Sequence, residues 1–316
     1  MSTPNPASSA AIDSVLVESR TFPPVPAARL GFDRWHIDSL DEYRRLHARS
    51  INEPEAFWAE EAARLSWFKP FERVLEWNVP DAKWFVGGRL NACYNCVDRH
   101  VQAGFGDQVA IIWEGEPIGP RTSHESSLSN YSAEPELREL TYRDLQIQTS
   151  RCANALKSLG VKKGDVVTIY MPMIPELAVA VLACARVGAV HSVIFGGFAP
   201  AAISERAIDA DSKVIITADG GYRRGEVVRL QDNVEEAVRH LGNHGHIINH
   251  VLVVKRTAHD PPSKRFRSGS PRVGPTRFHW WHDVVETASD ACPCEPMDSE
   301  DMLFLLYTSG STGKPK

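Results

Sequence analysis

The sequence predicts an α/β protein with a mostly parallel sheet and flanking helices, preceded by a helical N-terminal region. From about residue 108 onward, short apolar runs alternate with amphipathic stretches of about 10–18 residues, which is the pattern of βαβ units. The apolar runs are continuous rather than alternating, as is typical of parallel strands that helices cover on both faces. We therefore expect a parallel sheet whose strands are connected by right-handed crossovers.

The composition excludes several classes of protein. The chain has 316 residues, 43% hydrophobic and 24% charged, with a formal net charge of −5. That length suits one large or two medium domains. The negative balance, with dispersed Lys and Arg, indicates neither a nucleic-acid nor an anionic-membrane partner. The sequence does not indicate an oligomeric state.

Localisation is predicted from what the chain lacks in its sequence. No apolar run reaches the roughly 18 residues that span a bilayer. Residues 1–11 are small and polar and do not resemble a secretory signal. Six cysteines in a chain of this length do not form a disulfide scaffold. We therefore expect a cytoplasmic protein with reduced thiols.

The N-terminal third is predicted to be a flexible lead followed by helices. Residues 1–38 are rich in Ser, Pro and Ala. The segment 41–75 is predicted to be helical, with Asp41 as a candidate N-cap and Pro54 marking a second helix start. Aromatic residues are dense between positions 57 and 85, so this segment is expected to pack against a larger body.

The elements of the α/β part are assigned from local patterns of apolar, Pro and Gly residues. The predicted strands are 109–113, 166–170, 191–194, 213–218, 250–254 and 302–306. The predicted helices are 141–159, 175–185, 200–210 and 230–241. Loops rich in Pro and Ser are predicted at 115–138 and 261–276, after which Phe278, Trp280 and Trp281 are expected to return to the core.

A Cys-x-x-Cys pair, Cys93 and Cys96, raises the possibility of metal or redox chemistry. No βαβ unit precedes the pair, and the other closely spaced cysteines are Cys292 and Cys294. Zinc sites need four well-spaced ligands. We therefore interpret these cysteines as helical or core residues and predict no metal site.

A polar loop, Tyr-Thr-Ser-Gly-Ser-Thr-Gly-Lys-Pro-Lys, follows the last predicted strand at residues 307–316. Its glycines allow positive φ, and its backbone N–H groups, hydroxyls and lysine suit phosphate. It is not a Walker A loop, because Thr308 and Pro315 replace required Gly and Ser/Thr residues. The alternative is a polar surface turn. The residues predicted to bind ATP phosphates are Thr308, Ser309, Gly310, Ser311, Thr312, Gly313 and Lys314.

A second candidate site is the glycine-rich loop 219–226, which follows the strand predicted at 213–218. Ligands of open α/β sheets bind beyond the carboxyl ends of the strands. Arg223 and Arg224 suit a phosphorylated ligand, since guanidinium groups pair with phosphate in a bidentate manner. The alternative is a solvated basic turn. The segment 195–198, Phe-Gly-Gly-Phe, also follows a strand and is interpreted as a tight structural turn.

These motifs resemble the adenylate-forming superfamily of acyl-CoA synthetases, luciferases and peptide-synthetase adenylation domains. The loop 307–316 is similar to its phosphate-loop signature over all ten residues. Residues 41–100 resemble the N-terminal region peculiar to acetyl-CoA synthetases, in Glu-Pro-Glu-Ala-Phe-Trp, Trp-Phe-Lys-Pro-Phe and Trp-Phe-Val-Gly-Gly. The resemblance implies three regions: a lead at 1–38, a helical region at 39–100, and an AMP-binding α/β domain at 101–316.

The resemblance also implies a reaction and its small-molecule partners. ATP and acetate would form acetyl-adenylate and pyrophosphate with the help of Mg²⁺, and the CoA thiol would then displace AMP. CoA binding is implied at Arg223, Arg224, Gly225 and Glu226. Glu226 stands where a basic residue is usual in the family, and a carboxylate there would oppose a CoA phosphate.

In the family, the adenine-binding and carboxylate-binding segments, the metal ligand and the adenylation lysine follow the phosphate loop. The C-terminal domain is therefore expected to be absent, and no catalytic residue is assigned. We expect the 316-residue polypeptide alone to lack synthetase activity. The alternatives are a propionyl-CoA or other short-acyl-CoA synthetase, a non-catalytic CoA-binding fragment, and a truncated product without a role.

Overall fold

The computed structural model describes residues 23–116, 136–257 and 272–308. The chain divides into two compact units, Met1–Phe57 and Trp58–Lys316. None of the helices in the described ranges is long and apolar enough to cross a membrane. The α-helices in these ranges are α1 (Leu40–Asn52), α2 (Pro54–Ala62), α3 (Tyr142–Ser158), α4 (Pro175–Val187), α5 (Pro200–Asp209), α6 (Leu230–Asn243) and α7 (Trp281–Val284).

The strands fall into one large sheet and several short pairs. In chain order they are β1 (Arg73–Asn78), β2 (Asp81–Val86), β3 (Arg89–Leu90), β4 (Val109–Glu114), β5 (Leu137–Thr141), β6 (Val166–Met171), β7 (Val190–Phe195), β8 (Ser212–Ala218), β9 (Gly221–Arg223), β10 (Glu226–Val228), β11 (His250–Val254), β12 (Arg272–Val273), β13 (Thr276–Trp280), β14 (Met297–Asp298) and β15 (Phe304–Leu305).

Helix α1 is confirmed, but its predicted cap is wrong. The cap is Ser39, whose hydroxyl oxygen accepts a hydrogen bond from the backbone N–H of Glu42 at 3.1 Å. Asp41 lies in the first helical turn, where its carboxylate interacts favourably with the positive end of the helix dipole. Ser and Asp are both preferred N-cap residues, so composition alone did not choose between the two positions.

The helical prediction for 41–75 is wrong beyond Ala62. Strand β1 begins at Arg73 and pairs antiparallel with β2. The rings of Trp67, Phe71 and Phe85 pack against one another, with centroids 5.1–5.7 Å apart. Aromatic residues favour strands as well as cores. Here they pack beside a hairpin, although the apolar residues of this segment recur at the spacing of a helix.

The large sheet confirms the α/β prediction. Its strand order is β12-β13-β11-β8-β6-β7-β15, and the six strands from β13 to β15 are parallel. Helix α3 packs on α4, and α5 packs on α6. The connections through α4 and α5 run in opposite directions along the sheet, so right-handed crossovers place them on opposite faces. The core strands β6, β8 and β11 are almost completely buried.

The strand order reverses around β6. From β6 the chain passes to its neighbour β7, and it then returns to β8 on the other side of β6. A crevice is expected at such a switch point, outside the carboxyl ends of the strands. A ligand is therefore expected to bind at the carboxyl ends of the strands beside β6.

The strand predicted at 109–113 is confirmed as β4, but it lies outside the large sheet and pairs antiparallel with β5, a strand that was not predicted. Most of the loop predicted at 115–138 lies outside the described residues. Strand β5 ends at Thr141, which caps α3 in a reciprocal capping box: Thr141 Oγ1 accepts from the N–H of Asp144, and the Asp144 carboxylate accepts from the N–H of Thr141. The predicted start of this helix is therefore confirmed.

The last predicted elements are confirmed in part. Phe278 and Trp281 are buried, as expected, and Trp280 is partly buried. The final strand is shorter than the predicted run 302–306, because only β15 pairs with β7. Most of the loop predicted at 261–276 lies outside the described residues.

Candidate functional site

A cavity of about 250 Å³ lies at the carboxyl ends of β6, β7, β8 and β11, at the switch in strand order. Three aromatic rings and two arginines characterise its lining: Trp113, Phe195, Tyr222, Arg223 and Arg256. Rings offer flat surfaces on which a base can stack, and guanidinium groups bind phosphate. The lining therefore suits a ligand with an aromatic base and phosphate groups.

Asp219 joins two of the loops that form this cavity. It follows β8 directly, and its Oδ1 accepts hydrogen bonds from the N–H groups of Gly220 at 2.7 Å, Arg256 at 2.8 Å and Thr257 at 3.0 Å. The N–H of Asp219 donates to the carbonyl oxygen of Val254 at 2.8 Å. The segments that follow β8 and β11 are thus held together by one carboxylate, whose charge strengthens each bond.

The predicted loop 219–226 is largely a β-hairpin, formed by β9 and β10. Its turn residues, Arg224 and Gly225, have φ values of 54° and 81°. Two successive positive φ values are typical of the type I′ turns that connect tight hairpins. Glycine adopts this conformation readily, whereas Arg224 does so at a cost of about 1 kcal/mol. The N–H of Arg224 donates to Glu116 Oε2 at 2.7 Å, which stabilises the turn.

Of the four residues predicted to bind CoA, Arg223 lines the cavity, and its guanidinium lies 5.6 Å from the centroid of the Phe195 ring. Arg224, Gly225 and Glu226 are not among the lining residues. Glu226 pairs with Arg223 across the hairpin. Glu226, which stands where the family usually has a basic residue, therefore places a carboxylate opposite Arg223 in the hairpin.

The segment interpreted as a structural turn contributes to the cavity as well. Phe195 and Gly196 line it, and the Phe195 side chain remains exposed. The structural role also holds, because a Cβ atom on Gly196 would lie 2.9 Å from the carbonyl oxygen of Met171. Glycine is required there by the close approach of two backbones.

Sequence reasoning missed Arg256. Its guanidinium carbon lies 5.0 Å from the centroid of the Trp113 ring and 5.2 Å from the centroid of the Tyr222 ring. Nη1 donates to Glu136 Oε2 at 2.7 Å. Nη2 is buried and has no hydrogen-bond partner among the described residues. The signal was available in the sequence, because Arg256 follows the strand predicted at 250–254, and the rule that singled out Arg223 applies there too.

Of the predicted phosphate-loop residues, the described part of the chain includes Thr308, and positions 309–314 lie outside it. The first residue of the loop 307–316 is anchored: Tyr307 Oη donates to Asp209 Oδ2 at 2.6 Å, and the ring centroid lies 5.4 Å from the guanidinium carbon of Arg206. Burial, together with the neighbouring Asp209 carboxylate, raises the pKa of Tyr307 to about 12.

The Cys-x-x-Cys residues have different environments. Cys93 is buried, as expected of a core cysteine, and Cys96 is exposed. The ligand atoms of Cys93, Asp98 and Cys294 lie within 4.8 Å of one another. Arg186 Nη2 donates to both Asp98 oxygens, at 2.9 and 2.7 Å. Because the carboxylate already neutralises a buried guanidinium, this cluster is arranged as a core ion pair.

Comparison with known proteins identifies the family to which the chain belongs. A family described as AMP-binding enzyme matches residues 100–316, and the chain belongs to that family. Residues 43–96 match the family described as acetyl-coenzyme A synthetase N-terminus. The second match confirms the resemblance found within residues 41–100.

Individual relatives have a more specific name than the AMP-binding family. The chain is 47% identical over 309 residues to an acetyl-coenzyme A synthetase of Rhodopirellula baltica, which covers 98% of this chain and 42% of that protein. It is 51% identical over 280 residues to an acetyl-coenzyme A synthetase of Mycobacterium tuberculosis, covering 87% and 39%. Acetyl-coenzyme A synthetase 2 of Pseudomonas putida is 46% identical over 278 residues, covering 87% and 38%. The chain spans about two fifths of the length of these relatives.

Proposed function

We propose that the chain is part of an AMP-forming acetyl-CoA synthetase. This ligase forms acetyl-adenylate and pyrophosphate from ATP and acetate, and the CoA thiol then displaces AMP. The observation that carries the proposal is the match of residues 43–96 to the acetyl-coenzyme A synthetase N-terminus, which is more specific than the AMP-binding match. Relatives of that name, 45–51% identical to the chain, support it.

The cavity beside Arg223 is the proposed site for the nucleotide end of CoA. The adenine base would stack on an aromatic ring of the lining, a contact worth about 1–3 kcal/mol per base. The Arg223 guanidinium would pair with a phosphate, and its position over the Phe195 ring limits the rotamers that it can adopt. Arg224, Gly225 and Glu226 would shape the hairpin that presents Arg223.

The proposed role of residues 308–314 is to bind the phosphates of ATP. Adenylation brings together two anions, a carboxylate and a triphosphate, so positive charge must offset their repulsion. Backbone N–H groups, hydroxyls and the ammonium group of Lys314 would provide that charge and stabilise the leaving pyrophosphate. The bond from Tyr307 to Asp209 fixes the position from which this loop departs.

We assign no metal ligand within the chain. Mg²⁺, when bound to ATP, neutralises phosphate charge, and it prefers oxygen ligands in octahedral geometry. In the described ranges, the one group of candidate ligands consists of two thiols and the Asp98 carboxylate, which Arg186 occupies. These groups do not suit Mg²⁺.

Two binding and activity measurements on the purified 316-residue chain test the proposal. Isothermal titration calorimetry should show saturable binding of one CoA, and lack of CoA binding would contradict the assigned cavity. ATP–pyrophosphate exchange should be absent, because the family resemblance places further substrate-binding segments after the phosphate loop. Exchange catalysed by this chain would contradict that division of the site.

A further inference from the structure

We propose that Arg256 is a second phosphate-binding arginine of the cavity, which contacts a phosphate at the nucleotide end of CoA through Nη2. The inference rests on the proposed function and deepens it. Arg256 lines the same cavity as Arg223 but is contributed by the loop after β11 rather than by the hairpin after β8. Two arginines from two strand ends can grip one phosphorylated ligand from separate directions.

The position of Arg256 is fixed before any ligand arrives. Its side chain is 12% exposed. The rings of Trp113 and Tyr222 lie 5.0 and 5.2 Å from the guanidinium carbon. Its backbone N–H is bound by Asp219 at 2.8 Å. A donor held in this way loses little conformational entropy when it binds a ligand.

The contacts of Arg256 leave one donor unused. Nη1 is bound to Glu136 at 2.7 Å, while Nη2 is buried without a partner in the described ranges. A purely structural role of Arg256 accounts for the ring contacts and for the Glu136 bond. It does not account for the unpaired donor, whose burial is unfavourable. A phosphate oxygen in the cavity would satisfy it and form a charge-assisted bond.

Carboxylates around the cavity limit nonspecific attraction of anions. Glu114 and Glu116 line it together with the two arginines, and Glu136 neutralises part of the Arg256 charge. Affinity for a phosphate should therefore depend on direct hydrogen bonds more than on net charge. Removing the forked donors while keeping the charge should then weaken binding.

The test is calorimetry with CoA, dephospho-CoA and adenosine on the 316-residue chain and its Arg256→Lys variant. The matched control is Arg138→Lys. Arg138 also lies over the Trp113 ring, at 5.6 Å, and is paired with Glu176 at 3.0 Å, but it does not line the cavity. We expect Arg256→Lys to weaken CoA binding about tenfold or more and to leave the affinity for adenosine unchanged. Arg138→Lys should change neither affinity.

The ligands identify which phosphate is bound. A loss confined to CoA assigns the contact to the 3′-phosphate, and an equal loss for dephospho-CoA assigns it to the diphosphate; both support the proposal. An unchanged Kd for CoA would overturn it, and so would an equal loss for adenosine, which has no phosphate. If Arg223→Ala abolishes CoA binding while Arg256→Lys does not, the proposed function stands and this inference fails. If the parent chain does not bind CoA, both fail.

A second measurement needs no substitution. In arginine-selective ¹⁵N NMR of the parent chain, the resonance of the Arg256 guanidinium should shift when CoA is added, and it should shift less when adenosine is added. A resonance that CoA leaves in place would overturn the proposal even if Arg256→Lys proved unstable.

Discussion

The hydroxyl of Tyr307 donates a hydrogen bond to Asp209 at 2.6 Å, which ties the first residue of the loop 307–316 to the end of helix α5. The same ring lies 5.4 Å from the guanidinium carbon of Arg206, which in turn lies 5.0 Å from the Phe198 ring. The start of the loop is thereby joined to the segment that follows β7. The two candidate sites share this part of the scaffold, because Phe195, which lines the cavity proposed to bind CoA, ends β7.

Tyr307→Phe should lower the free energy of unfolding by about 0.5–1 kcal/mol, the usual net value of one hydrogen bond. The effect should depend on pH. The folded pKa of about 12 lies above the unfolded value near 10, so the contribution is complete below pH 10 and is lost as pH rises through 12. Urea unfolding of parent and variant from pH 8 to 12 checks this. A difference between them that grows with pH would contradict the assignment.

Asp219→Ala should disturb both stability and CoA binding. Three backbone N–H groups, those of Gly220, Arg256 and Thr257, would lose their acceptor. At about 1 kcal/mol each, the free energy of unfolding should fall by roughly 2–3 kcal/mol, and CoA affinity should fall with it. Asp232→Ala is the control, since that exposed carboxylate lies 3.8 Å from Arg229 and does not line the cavity. Equal effects of the two substitutions would contradict the role of Asp219.

Asp98→Asn should be strongly destabilising. The change leaves the guanidinium of Arg186, 2% exposed, without its anion, and breaking a buried pair typically costs 3–5 kcal/mol. Asp290→Asn removes an exposed partner of Arg151 at 3.9 Å and should cost at most about 1 kcal/mol. Guanidinium chloride unfolding compares the two. Similar costs would show that the core ion pair is not needed for stability.

Cys96 should be the cysteine that thiol reagents modify first in the folded chain, because it is exposed, whereas Cys93 is buried. Partial burial of the thiol raises the pKa of Cys96 above its usual value, and nearby Arg99 opposes that shift. Reaction with Ellman's reagent should therefore be slow at pH 7 and accelerate above pH 9. Cys96→Ser should abolish the fast phase. A fast phase that survives this substitution would contradict the assignment of Cys96 as the most accessible thiol.

The parallel sheet could be predicted because its buried strands are unbroken apolar runs, as in 213–218 and 250–254. The hairpins formed by β1 with β2 and by β4 with β5 could not. Their exposed and buried residues alternate irregularly, and aromatic residues such as Trp67 and Phe71 fit a helix or a hairpin equally well.

Part of the candidate site was predictable from the rule that ligands of open α/β sheets bind beyond the carboxyl ends of the strands. That rule singled out Arg223 from its position after β8, and it would have identified Arg256 after β11. It could not have identified Trp113, which lies on β4 outside the large sheet. Its place beside Arg256 depends on tertiary contacts that no local pattern encodes. The roles assigned to Arg224 and Glu226 remain predictions.

The most direct test compares two adjacent arginines. Arg223 lines the cavity and Arg224 does not, although both are exposed and carry the same charge. In calorimetric titration of CoA into the 316-residue chain, Arg223→Ala should weaken binding about tenfold or more, and Arg224→Ala by less than about threefold. Equal losses, or a larger loss with Arg224→Ala, would contradict the assignment of this cavity to CoA.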